Sequence, residues 1–433
     1  MKPASVRIRT YQVGFGDCFL VTFRYADGDR HLLIDFGSTG LPLDAPKSRM
    51  LDIAKDIAST SGGKLTGVVA THRHKDHVSG FATAARGTGS GDIIAGLAPD
   101  LVVQPWTEDP KIAPDATGPA LRGAALRAAS ARATTLAAMQ AAAGNVLAET
   151  RRIRYLAPEL RDEISFLGDD NIGNADAVRN LMTMGKKSVY AHAGMTDIFG
   201  SLLPGVEVFA LGPPTVDQSA LVRKQASRNS DEYWHLQASA AQAVPSVGRG
   251  RVAPLFPSHV RASRNPFPEE ARWLMYHLRK VRGEQMLSIV RMLDKAMNNT
   301  SLILLFRIGD KSFLFPGDAQ WENWAFSLSD PQIQELLKEV DVYKVGHHGS
   351  LNATPKSLWE LFANRSADPQ DPHRLTSIMS TMPGKHGSVA SKTEVPRSTL
   401  KAELKRESNL VSTDELEAST LYRDVEIELH EAP

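Results

Sequence analysis

The stretch VVATHRHKDHVSG, residues 68–80, places His72, His74, Asp76 and His77 within six consecutive positions. Imidazole nitrogen together with carboxylate oxygen is a donor set for Zn²⁺, Mn²⁺ or Fe²⁺. His72 and His74 alternate, so on an extended backbone both rings can point the same way and reach one ion. Asp76 and His77 follow at the turn and can serve a second ion beside it. The competing reading is a polar surface loop, but four donors directly after the apolar run LTGVV favour a metal. A structural zinc site would draw on thiolates. The chain has one cysteine, Cys18, inside an apolar run, where a thiol reads as a small buried residue rather than a nucleophile. The expected centre is catalytic, with water as one ligand.

Two more segments are needed to complete such a centre. LFPGDA ends an apolar run with Asp318, a carboxylate suited to bridging two ions, and KVGHHGS ends another with His347 and His348. All three segments share one context, the carboxyl end of a short strand, which is where α/β sheets gather their ligands.

The elements that must carry these loops are readable in outline. SVRIRTYQV alternates as a strand does, and CFLVTFRYADGDRHLLIDFG is a hairpin around the turn ADGDR. KSRMLDIAKDIAST sets Met50, Leu51, Ile53, Ala54, Ile57 and Ala58 at helical spacing, and Gly62–Gly63 stop it. LTGVVATH, LAPDLVVQPW and VEVFALGPP read as further strands, and SVYAHAGMTD as part of a strand pair leading to the last of these. SLILLFRIGDKSFLFPGDA is a second hairpin, VDVYKVGHHGS a strand, PRSTLKAELKRE a helix and DVEIELH a final strand. The class is α/β. The first and last thirds echo each other, which suits a sandwich of two α/β halves. Between them, residues 119–149 are Ala-rich and helical, 215–266 form a long exposed loop, and 268–297 make an amphipathic helical stretch.

A chain of 433 residues predicts two or three domains, or one large domain with insertions. Its formal charge of +1 gives no sign of a strongly basic nucleic-acid binder or an acidic tail, while leaving a local basic groove open. One cysteine rules out an intramolecular disulfide and fits a reducing compartment. No apolar run approaches the roughly 20 residues that span a bilayer, and the first residues lack the apolar core of a secretory signal. The expectation is a cytoplasmic protein without a membrane partner.

THRHKDHVSG resembles the His-x-His-x-Asp-His signature of the metallo-β-lactamase superfamily. YQVGFGDCFLV, HLLIDFGS, NNTSLILLFRIGDKSFLFPGDA and DVYKVGHHGS resemble one branch of it, the metallo-hydrolase domain of bacterial competence (DNA-uptake) proteins and their soluble relatives. The likeness covers roughly residues 7–105 and 297–352. It implies one four-layer αββα sandwich over 1–433, with a helical insertion at 106–180 and a loop-plus-helix insertion at 215–296. It also implies two divalent ions, Zn or Mn. His72 and His74 would bind the first, Asp76 and His77 the second, and Asp318 would bridge. His347 would complete the second site, with Asp35 orienting the loop from behind. Asp76 and His348 are the expected catalytic residues, His348 by hydrogen-bonding or protonating the substrate.

One departure from the pattern stands out. The superfamily supplies a further histidine to the first ion, and the candidate here, His192, reads as structural. Asn298 or Asn299 is a possible neighbour of that position, and His386 in MPGKHGSV resembles a late histidine loop near the site. The resemblance implies a phosphodiesterase or nuclease. The alternatives are hydrolysis of a small ester or lactone, and a catalytically impaired binding relative. Arg- and Lys-bearing stretches at 221–283 could meet phosphates by charge. The sequence does not define the oligomeric state.

Overall fold

Alternating and apolar runs near the start of the chain form a meander of β1 (Ser5–Tyr11), β2 (Cys18–Arg24) and β3 (Arg30–Phe36), all antiparallel neighbours. The structure is a computed structural model. It describes residues 2–111, 118–119, 164, 175–215, 217–219, 297–350, 352, 354–387, 389 and 394–429. The β2–β3 turn closes on Gly28 at φ 121°, a conformation that side chains disfavour. After β3 the chain crosses over through α1 (Arg49–Thr60), burying Ile53, Ala54 and Ile57 on one stripe. It returns as β4 (Gly67–Val69), parallel to β3, and β5 (Leu101–Pro105) and β6 (Lys187–Ala191) extend that parallel run.

A second sheet is built from β7 (Glu207–Gly212), β8 (Ile303–Ile308), β9 (Lys311–Phe315), β10 (Val342–Lys344), β11 (Thr376–Met379) and β12 (Asn409–Ser412), in the order β12-β11-β10-β9-β8-β7. β7, β8 and β9 are antiparallel, and β9 through β12 are parallel. The last strand, β13 (Tyr422–Glu428), returns to the first sheet and pairs with β1, giving the order β13-β1-β2-β3-β4-β5-β6. Both sheets are therefore mixed.

Side-chain alternation divides the core. Val6, Ile8, Phe19, Val21, Phe23, Ile34 and Val103 of the first sheet share one buried cluster with Leu304, Phe306, Phe313, Phe315, Val342 and Ile378 of the second. Phe19 meets Phe315 with ring centroids 6.0 Å apart. The opposite face of the first sheet, with Leu20, Leu33, Val68 and Val102, packs on α1, on Ile94 of α3 (Ser90–Gly96) and on Ala177 and Leu181 of α4 (Ala175–Thr183); α2 (Lys75–Val78) is the short turn that carries the histidine loop. The opposite face of the second sheet packs on α5 (Trp321–Ser327), α6 (Pro331–Lys338), α7 (Lys356–Leu361) and α8 (Ser398–Glu407) through Trp324, Leu337, Leu358, Trp359 and Leu404.

The expected α/β class and both hairpins are present. The strand pair expected around His192 is not, because β6 and β7 are edge strands of different sheets. The connection between them folds back on β7 instead, through Gly194 N–H to Ala210 O and Ala210 N–H to Met195 O. α3, α5, α6, α7, β11 and β12 carry too few residues for sequence periodicity to reveal them. The helix expected at 119–149, most of the loop expected at 215–266 and the helical stretch expected at 268–297 fall almost wholly outside the described residues, as do most of the expected insertions. Among the described residues no helix is long and apolar enough to cross a membrane.

A candidate metal centre between the strand ends

The histidine loop leaves the carboxyl end of β4 and turns through α2. The end of β3 passes directly beneath it: a Cβ on Gly37 would lie 2.4 Å from the backbone C of Asp76 and the backbone N of His77, so only glycine fits there. Asp318 follows β9 at a turn whose Gly317 has φ 55°. His347 and His348 follow β10 at φ 42° and 52°, and Gly349 continues at 80°. Each non-glycine residue held this way costs on the order of 1–3 kcal/mol. The turn sends His348 fully inside and leaves the His347 side chain 25 % exposed.

Hydrogen bonds behind the rings determine which nitrogen faces inward. His348 Nδ1 lies 3.0 Å from the Ser380 carbonyl, which only accepts, so Nδ1 carries a proton and Nε2 is the inward atom. His77 Nδ1 lies 2.8 Å from Asp35 Oδ2, which leaves Nε2 inward as well. Asp35 also accepts from the Thr71 N–H and the Thr71 hydroxyl, both at 2.7 Å. With its proton committed to Asp35, Thr71 Oγ1 accepts from His72 Nδ1 at 3.2 Å, so the His72 Nε2 lone pair also points inward. One carboxylate thus orients two rings, directly and through a hydroxyl.

The inward atoms meet carboxylates. His348 Nε2 is 2.9 Å from Asp76 Oδ2 and 3.5 Å from Asp318 Oδ2, and His77 Nε2 is 3.1 Å from Asp318 Oδ2. At His77 the angle is wrong for a hydrogen bond, and Asp76 Oδ1, Asp318 Oδ2 and His77 Nε2 are buried without a hydrogen-bond partner. Buried polar atoms normally find partners. The inward nitrogens face carboxylates, with a hydrogen bond at His348 and none at His77, and a cation in place of the inward protons fits between them. Asp76, His77, Asp318 and His348 could hold one ion, their donor atoms lying within 4.8 Å of one another. His72, His74 and Asp76 form a second such group, so Asp76 belongs to both.

Charge separates the two groups. Burial lowers His77, but Asp318, Asp76, Asp35 and Asp17 outweigh it and raise its pKa well above the ordinary 6.5. Burial opposes His348 too, yet Asp318 and Asp17 push it up to about 10. Burial, helped by His77 and His74, holds His72 well below 6.5, and burial brings His74 to about 4. Asp76 and Asp318 resist the upward push of burial through His77 and His348, and both fall below the usual carboxylate range.

A third group, Asp17, Asp35 and His77, lies behind the first two. Asp17 ion-pairs with Lys344, a lysine 2 % exposed, whose Nζ also lies 3.1 Å from Gly317 O and 3.5 Å from Asp318 Oδ1. With its carboxylates engaged by Lys344, Thr71 and His77, this group reads as support for the centre.

The structure brings His72, His74, Asp76, His77, Asp318 and Asp35 together. It reverses the expectation for the HH pair: His348 sits in the buried group, and His347 Nε2 stays 3.9 Å from Asp318 Oδ2 at the rim. The left-handed turn decides this, and sequence spacing cannot show it. His192, its Nδ1 bonded to Ala193 O at 2.8 Å, is in none of the groups. The His386 ring packs edge-on against Phe15 at 4.2 Å, and Phe15 in turn lies 4.5 Å from His348; burial lowers the His386 pKa to about 3. Sequence reasoning missed Asp17 and Lys344. The available signal was a lysine inside the apolar strand VDVYKVG, where a charge has to find a buried partner. No family model and no curated protein matches the chain.

Proposed function

We propose that the chain is a metal-dependent hydrolase of the metallo-β-lactamase type, with two divalent ions, Zn or Mn, acting on phosphodiesters, nucleic acid among them. The observation that carries the reading is the sharing of Asp76 between two buried donor groups, which suits two ions side by side. The arrangement of the core supports the four-layer αββα form, since helices cover the outer face of each sheet and the inner faces share one cluster. Buried Cys18, the sole cysteine, suits a reducing compartment such as the cytoplasm.

In this reading His72 and His74 would hold the first ion and His77 and His348 the second, with Asp76 and Asp318 available to both. Such ions, when bound, would supply a water of lowered pKa and a counter-charge for the oxygens of a phosphodiester. The chain's own residues prepare for this. Ser380 O, Asp35 and Thr71 keep ring protons on the outer nitrogens, and burial of the donors excludes bulk water. In this reading His347, whose side chain is 25 % exposed at the rim, is the group that hydrogen-bonds a bound substrate. The basic stretches at 221–283 lie outside the described residues, so the preference for nucleic acid rests on the sequence resemblance.

The test is metal content together with hydrolysis of bis-p-nitrophenyl phosphate, single- and double-stranded DNA, RNA and a lactone, with Asp76→Ala as control. The expected result is two ions per chain, diester cleavage, and a loss in Asp76→Ala beyond the roughly 10–100-fold of a supporting residue. A chain that binds no metal, or that cleaves only the lactone, overturns the reading.

A further inference from the structure

Among the described residues, the donor group proposed for the first ion contains two histidines, His72 and His74, beside Asp76. Asn298 stands just before β8 in sequence. Its side chain is fully buried, and its Oδ1 lies 3.1 Å from His74 Nδ1. The same His74 Nδ1 lies 3.0 Å from His72 Nε2. One ring nitrogen thus faces two groups at once. It carries either one proton or one lone pair, and a single proton makes one linear bond.

His72 Nε2 is a lone pair, because Nδ1 donates to Thr71, and an amide oxygen is an acceptor by nature. A cation where the three atoms converge satisfies all of them. The spacing agrees: donors about 2.1 Å from one ion stand roughly 3.0–3.4 Å apart at octahedral to tetrahedral angles. Asn299, the neighbouring candidate, is directed elsewhere, its Nδ2 donating to Glu322 Oε2 at 3.1 Å.

We infer that Asn298 Oδ1 is the third donor to the first ion, standing where the superfamily pattern has an imidazole; the inference rests on the two-ion reading above. A neutral amide oxygen is a harder and weaker donor than imidazole. It shifts the first position toward Mn²⁺ and makes that ion the more readily exchanged of the two.

The experiment is calorimetric titration of the metal-free full-length chain with Mn²⁺ and Zn²⁺, with bound metal counted after desalting. Wild type and Asn299→Ala should take up two ions. Asn298→Ala should lose one, its first-position affinity falling by about 100-fold or more. Asn298→His should keep both and bind Zn²⁺ about 10-fold more tightly than wild type. Asn298→Asp, which keeps the shape and the oxygen, should keep both and guards against a folding defect in the alanine variant. Two ions of unchanged affinity in Asn298→Ala overturn the inference and leave the two-ion reading standing. A wild type with one ion that Asn298→Ala retains overturns the inference and the two-ion count together. A wild type with no ion overturns both.

Discussion

Asp35 accepts a hydrogen bond from His77 Nδ1 at 2.8 Å while its own backbone is held at φ 55°, so a strained residue at the end of β3 determines which nitrogen of His77 faces the centre. Asp35→Asn replaces an oxygen acceptor with an amide whose NH₂ would face the Thr71 hydroxyl or His77. The ring must then move its proton to Nε2, the atom proposed to bind the ion. Metal affinity should fall by about 10–100-fold, read by titration with Mn²⁺. An unchanged dissociation constant would show that the carboxylate does not set the tautomer.

The two histidines of KVGHHGS should separate in a metal count. His348→Ala removes Nε2 from between Asp76 and Asp318 and should cost one ion per chain. His347→Ala should keep both ions and alter only turnover, since His347 stands at the rim. Equal ion loss in both variants would contradict this assignment.

Lys344 and Asp17 form an ion pair with almost no exposure to water. Removing one partner strands a buried charge, and Lys344→Met should destabilise the fold by about 3–5 kcal/mol. Asp17→Asn combined with Lys344→Met removes both charges and should recover at least half of that loss. Urea midpoints of the four proteins in the cycle decide it, and additive effects would mean the pair is not coupled.

His31 on β3 packs against Thr22 on β2, with Nδ1 3.1 Å from the hydroxyl, and burial lowers its pKa from the ordinary 6.5. The neutral ring is favoured in the folded chain, so the unfolded chain takes up the proton first as pH falls. The contribution of His31 is therefore fully present above pH 6.5 and is lost as pH drops below it toward the folded value. His31→Gln should flatten the melting-temperature profile between about pH 7 and pH 5. Parallel profiles for wild type and variant would refute it.

Much of this architecture was legible from residue order. His72, His74, Asp76 and His77 declared themselves because four donors crowded one turn, and the two hairpins because their turns were short and their flanks alternated. The choice between His347 and His348 was hidden, since it depends on two consecutive left-handed residues that spacing does not encode. Lys344 and Asp17 were hidden for another reason: a charge in a strand usually faces water, and only the packed sheet shows that this one does not. The separation of β6 from β7 followed from long-range pairing, which adjacent sequence does not report. Short elements such as the three-residue β4 and β10 were visible only as apolar runs.

The contact between Asp76 and His348 joins residues 272 positions apart. Closing a loop of that length costs roughly 5 kcal/mol of chain entropy, and an ion held across the joint, as proposed, would act as a reversible cross-link between two distant segments of the polypeptide. Timing follows as well. At the usual 5–20 residues per second, roughly a quarter of a minute to a minute separates synthesis of the first histidine loop from that of its partner. A nascent chain carries half of a donor set throughout that interval, and the centre is among the last parts of the molecule able to close.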